Sequence, residues 1–105
     1  MASTQSNVDF ICEQMAGAGA ITWRKMFGEY GVYCDAKFIG VICDDMLFLK
    51  PTKPGREFAP DVTLAPAYDG AKPSLRIAPE QVEDADWLVA LVRRTHEALP
   101  AKKQK

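Results

Sequence analysis

Phe38-Ile39-Gly40-Val41-Ile42-Cys43-Asp44-Asp45-Met46-Leu47-Phe48-Leu49 is the stretch on which the fold turns. Two runs rich in β-branched and aromatic residues flank an Asp-Asp pair, the pattern of a hairpin. A two-residue turn at Asp44-Asp45 sets Cys43 opposite Met46 and Ile42 opposite Leu47. Phe38, Gly40, Ile42, Leu47 and Leu49 then share one face, and Ile39, Val41, Cys43, Met46 and Phe48 share the other. Both faces are apolar, whereas a sheet with one wet side alternates apolar with polar. Each face therefore needs a cover.

Toward the N-terminus, Val32 to Cys34 is a further β-rich run, joined to Phe38 by Asp35-Ala36-Lys37. Read as a three-residue turn, that link pairs Cys34 with Phe38. Before it, Thr22, Trp23 and Met26-Phe27 form an extended segment that enters a tight link at Gly28-Glu29-Tyr30-Gly31. Ser6-Asn7-Val8-Asp9 has the form of a capping box, so a helix is expected to begin there. Val8, Ile11, Cys12 and Met15 recur on one face of it, and Gly17 with Gly19 supplies the stop.

Toward the C-terminus, Pro51 and Pro54-Gly55 end the strand that begins at Met46, and Gly55 to Ala59 can form a turn of helix. A loop with Pro60, Pro66, Gly70 and Pro73 is expected to lie along a sheet edge, with Thr52 to Pro73 as the candidate cover for the second face. Leu75 to Ile77 reads as a last, edge strand. Pro79 and Glu80 open a helical region whose main body starts near Asp84. There Leu88, Leu91, Val92, Thr95 and Leu99 make one stripe that must pack on the sheet. The fold class is α+β: an N-terminal helix, an antiparallel meander of about four to five strands, and a C-terminal helix on the sheet. One domain over residues 1–105 is expected, with its core at about 8–99 and flexible ends at 1–5 and 100–105.

Composition agrees with a globular chain: 105 residues, 48% hydrophobic and 26% charged. No apolar run approaches the roughly 20 residues that span a bilayer, so no membrane partner is expected. The polar start, Met1 to Asn7, lacks the basic and apolar regions of a signal peptide. Three cysteines without a CxxC pair suit a reducing compartment, and a cytoplasmic location is the expectation. A net charge of −1 gives the molecule no overall pull on a polyanion.

Little in the pattern points to chemistry. A zinc site needs about four converging ligands, and Cys12, Cys34, Cys43 and His96 come from four separate elements. With Cys34 opposite Phe38, Cys43 lies about 16 Å further along at strand rise, so the two strand cysteines cannot share a metal or a disulfide. His96, the single histidine, flanks the terminal stripe with no nucleophile identified beside it. Gly28-Glu29-Tyr30-Gly31 lacks the spacing and lysine of a phosphate-binding loop. No catalytic residue, cofactor or metal is expected.

Arg24-Lys25-Met26-Phe27-Gly28-Glu29-Tyr30-Gly31-Val32-Tyr33 resembles the signature of TfoX/Sxy N-terminal domains: Arg-x-Met-Phe-Gly, a short turn, then Gly and a strand. The similarity continues through Phe38 to Lys50 and into the final helix after Glu83-Asp84, covering roughly Val8 to Leu99. The motif residues are Arg24, Lys25, Met26, Phe27, Gly28, Tyr30 and Gly31; Glu29 stands where the family often has glycine. The resemblance implies an α+β fold and a non-enzymatic role in regulating competence or related transcription through protein contacts. Full-length regulators of this kind carry a second, C-terminal domain, and the chain is expected to correspond to the stand-alone first domain.

A regulatory protein-interaction module is thus the leading expectation, with Tyr33, Ile39, Val41, Met46 and Phe48 as the interaction face. Its partner would be another protein, such as transcription machinery, or a second copy in a homodimer. The alternatives are direct nucleic-acid binding through Arg24, Lys25, Arg56, Lys72, Arg76 and the basic tail Lys102, Lys103 and Lys105, or a small thiol-based sensor.

Overall fold

The computed structural model of the chain describes residues 4–26 and 29–99. Phe27 and Gly28 of the motif, the basic tail and the outermost residues of both expected loose ends lie outside them. The described segments build one antiparallel sheet from β1 (Ile21–Met26), β2 (Glu29–Cys34), β3 (Lys37–Cys43), β4 (Met46–Leu49), β5 (Thr63–Pro66) and β6 (Pro73–Ile77). These six strands lie in the order β1-β2-β3-β4-β6-β5, slightly more strands than the sequence reading allowed. The additional one is β5, inside the loop after Pro60. Because β5 pairs with β6, the Leu75 to Ile77 segment is an inner strand and β5 is the edge.

The meander has the expected hairpin at its centre: Cys43 faces Met46, and Ile42 faces Leu47. Asp44 and Asp45 both take positive φ, 54° and 61°, as a turn matched to the right-handed strand twist requires. The preceding link departs from expectation. Asp35 and Ala36, with φ of 50° and 71°, form a second two-residue turn, so Cys34 faces Lys37 and Tyr33 faces Phe38. From Val32, which faces Gly40, the pairing is the one a three-residue turn would also produce. Ile39 is the residue left over, a β-bulge that absorbs the difference.

That bulge reverses two side chains. Ile39 is fully buried in the core, not on the interaction face to which simple alternation assigned it. Phe38 turns to the opposite face, where its ring lies 5.4 Å from that of Tyr33. The Ile39 carbonyl accepts the Lys50 amide at 2.9 Å, which ties the bulge to the end of β4.

The helices are α1 (Gln5–Met15), α2 (Lys53–Phe58), α3 (Pro79–Val82) and α4 (Ala85–Ala98). Thr4, not Ser6, caps α1: its Oγ1 accepts the Asn7 amide at 3.3 Å. The β3–β4 turn selects this start, since the Thr4 amide donates to Asp45 Oδ1 at 2.8 Å and Asn7 Nδ2 donates to the Asp45 carbonyl at 3.0 Å. Asp9 meanwhile accepts from Gln5 Nε2 one turn back. Asp84 caps α4 by accepting the Trp87 amide at 3.2 Å.

Val8, Ile11 and Met15 of α1 and Leu88, Leu91 and Val92 of α4 are buried with Val32, Ile42, Leu47, Leu49, Leu75 and Ile77 of the sheet. All the sheet members of this core lie on one face, by register. The helical stripe and the strand alternation therefore meet where periodicity placed them, and the other sheet face is left to the loop and to solvent. No helix among the described residues is long and apolar enough to cross a membrane.

Candidate functional site

The outer sheet face is read directly from cross-strand partners. Arg24 faces Gly31, Gly31 faces Val41, Tyr33 faces Phe38, Val41 faces Phe48, Cys43 faces Met46, and Phe48 faces Arg76. Of the expected face, Tyr33, Val41, Met46 and Phe48 are brought together; Ile39 is replaced by Phe38. The sequence held a signal for the missed residue, since Phe38 follows a turn pair of the Asp-x type, but the bulge that turns it outward depends on the partner strand.

Tyr33, Phe38 and Val41 are only half-buried. They line a groove of about 680 Å³ with Glu29, Tyr30, Cys43 and Tyr68. Tyr68 comes from the β5–β6 loop and is 61% exposed, so an aromatic ring stands at the groove's open wall. Further along the same face, Ala67, Tyr68, Ala71 and Lys72 flank Phe38, Val41 and Phe48. The loop thus roofs Phe48, which is only 6% exposed, and leaves the Tyr33–Phe38–Val41 end open. A monomer seldom exposes a continuous apolar patch without use for it.

Cations border this face. Lys50 Nζ sits 4.8 Å above the Phe38 ring, and Arg24, Lys72 and Arg76 are exposed around the apolar centre. Lys25 points to the opposite side, 5.9 Å from the Tyr30 ring, and Arg56 lies on α2. The basic residues proposed for nucleic acid are therefore divided between surfaces. Within the motif, Arg24, Lys25, Tyr30 and Gly31 all belong to the β1–β2 hairpin, and Tyr30 meets Trp23 edge to face at 5.1 Å.

The cysteines are held as thiols. Burial, helped by Asp9, raises the Cys12 pKa to about 11; burial with Glu29 and Asp44 does the same for Cys43. Burial and Asp35 also raise Cys34, against the lowering pull of Arg93 and Lys37. A thiol sensor needs the reverse, an exposed thiol of lowered pKa.

One part of the expected scatter is corrected by the tertiary structure. Cys34 and His96, assigned to separate places, meet at the β2–β3 turn together with Asp35, their ligand atoms all within 4.8 Å of one another. Asp35 is clamped to Ala20, its amide donating to the Ala20 carbonyl and its Oδ1 accepting the Ala20 amide, each at 2.9 Å. Lys37 Nζ donates to the carbonyls of His96 and Leu99 at 3.0 and 2.9 Å, which fastens the end of α4 to the same hairpin. His96 Nε2 is 4.0 Å from Asp35 Oδ2, beyond hydrogen-bond length, and Cys34 is fully buried, so the trio is not arranged as a nucleophile with its base.

Comparison with known proteins agrees with the hairpin motif. The family model described as the TfoX N-terminal domain matches residues 13–99. An uncharacterized 12.7 kDa protein in the trpE 5′ region of Spirochaeta aurantia is 39% identical over 103 residues, covering 98% of this chain and 89% of that protein.

Proposed function

This chain belongs to the TfoX N-terminal domain family, and from that premise we propose that it is a non-enzymatic regulatory module that binds a partner protein through the outer face of its sheet. The observation that carries the reading is the open, aromatic-walled groove between Tyr33, Phe38, Val41 and Tyr68. Its occupant is an apolar segment of a regulatory protein with acidic flanks: the aromatic walls take the apolar side chains, and Arg24, Lys50, Lys72 and Arg76 at the border favour carboxylates. The family's competence-related regulatory role supports a partner in transcription control, in keeping with an intracellular, cytoplasmic setting.

A photo-crosslinking residue at Tyr33, compared in cells with the same probe in a Val41→Asp background, tests the assignment. A defined protein partner captured by the first and lost from the folded second supports it. Equal capture by both rejects this face. A crosslink to a second copy of the chain, with a dimer in sedimentation, would replace the heterologous partner by a homodimer, and a crosslink to nucleic acid would reject the protein-binding reading.

A further inference from the structure

We propose that Cys34, Asp35 and His96 form a binding site for one thiophilic divalent transition-metal ion, of which zinc best fits a mixed sulfur, oxygen and nitrogen donor set. The three residues come from the β2–β3 hairpin and the last turn of α4, so an ion there would join the sheet to the C-terminal helix.

Distances are close to what coordination needs. In a tetrahedral shell with bonds of roughly 2.0–2.3 Å, ligand atoms stand roughly 3.3–3.7 Å apart. The three atoms already lie within 4.8 Å of one another, and the His96 Nε2 to Asp35 Oδ2 distance is 4.0 Å. Small rotamer adjustments in Asp35 and His96 close the remainder, because the backbone at both ends is already fastened by Ala20 and Lys37.

Gly19 holds the backbone close beside the ligands. Gly19 lies against them with a φ of 152°, and a Cβ there would stand 2.8 Å from Asp35 Oδ2 and 3.0 Å from Cys34 Sγ. Glycine is therefore required for this segment to pack directly on the two donor atoms. Asp35 Oδ1 remains on the Ala20 amide, which orients the carboxylate and leaves Oδ2 free to coordinate.

The groups facing the site set its chemistry. On metal binding the Cys34 thiol gives its proton to solvent, and the sulfur exchanges its contact with the Ala18 carbonyl, now 3.7 Å away, for the metal. Burial and Asp35 hold Cys34 as the thiol, opposed by Arg93 and Lys37, so the ion must displace that proton to bind. Thiolate and carboxylate together neutralise the divalent ion. Asp35, at 53% side-chain exposure, opens the fourth position to water.

Titration of the intact chain with Co²⁺ under reducing conditions tests the site, because thiolate-to-cobalt charge transfer reports sulfur ligation directly. One equivalent should produce that band with tetrahedral d–d absorption, and Zn²⁺ should displace it. Since Cys34→Ser risks the buried packing, His96→Ala and Asp35→Asn are the diagnostic variants; Asn tolerates the positive φ and keeps an oxygen for Ala20. Each should weaken Co²⁺ binding at least about tenfold while circular dichroism is unchanged. Cys43→Ser should leave binding intact. Absence of the charge-transfer band, or undiminished binding in folded His96→Ala, overturns the proposal.

Discussion

A side chain on Gly40 would run into the backbone carbonyl oxygen of Phe48 on the neighbouring strand, and its Cβ would also lie 3.0 Å from Leu49 Cα. Backbone cannot yield as a flexible side chain does. Gly40 follows the Ile39 bulge and faces Leu49 on β4. Gly40→Ala should therefore destabilise the protein by about 3 kcal/mol or more, measured by urea unfolding against wild type. A loss below about 0.5 kcal/mol would mean that the strands separate there without cost.

Ala36 pays for its turn, holding a φ of 71° that costs a side-chain-bearing residue about 1 kcal/mol or more. Ala36→Gly relieves that strain, and the larger entropy of a glycine in the unfolded chain offsets part of the gain. A net stabilisation of about 0.5 kcal/mol is expected, visible as a higher denaturation midpoint at constant m-value. Gly19, with its neighbours on Asp35 and Cys34, should respond the opposite way to alanine.

Thr95 is fully buried on α4, and its Oγ1 has no hydrogen-bond partner among the described residues. Gly55 of α2 packs closely on it: a Cβ at Gly55 would be 3.2 Å from that hydroxyl. Thr95→Val keeps the shape while removing the unsatisfied group, and should raise stability by about 1 kcal/mol in chemical denaturation. Thr95→Ser, which keeps the hydroxyl and loses the methyl, should lower it.

Alkaline stability should fall through Cys12 and Cys43. Each ionises near 9.0 when free of the fold but near 11 within it. Between those values the unfolded chain has released protons that the folded chain retains, so stability is complete below pH 9 and is lost as pH rises toward 11. The decline attributable to the two thiols is about 1–3 kcal/mol, discounted for the partial exposure of Cys12. Unfolding at pH 8.5 and 11 should show it in wild type and a smaller decline in Cys12→Ala/Cys43→Ala. At neutral pH the same two thiols should react slowly with a disulfide reagent until the protein is unfolded.

Local pattern carried most of the fold because its causes are local. Asp44-Asp45 between two β-rich runs admits a tight hairpin, and Leu88, Leu91, Val92 and Thr95 can share one buried stripe only on a helix. The caps were less legible. Ser6 and Thr4 are comparable N-caps in isolation, and Asp45, distant in sequence, decides between them through the Thr4 amide. β5 was hidden for a related reason: Thr63–Pro66 is short and largely exposed, and it is a strand only because β6 supplies its hydrogen bonds.

The α+β class, the order of the main elements, the family motif around Arg24 to Gly31 and the two apolar sheet faces are all legible in the residues alone. Those follow from period, turn chemistry and side-chain type, which act over a few residues. Packing of the complete chain sets Ile39 inward and Phe38 outward, lays the β5–β6 loop beside Phe48 while Tyr33 and Val41 border an open groove, and brings His96 to Cys34 and Asp35. Each of these depends on which strand or helix is set beside another, and that is fixed by packing the whole core rather than by any local preference.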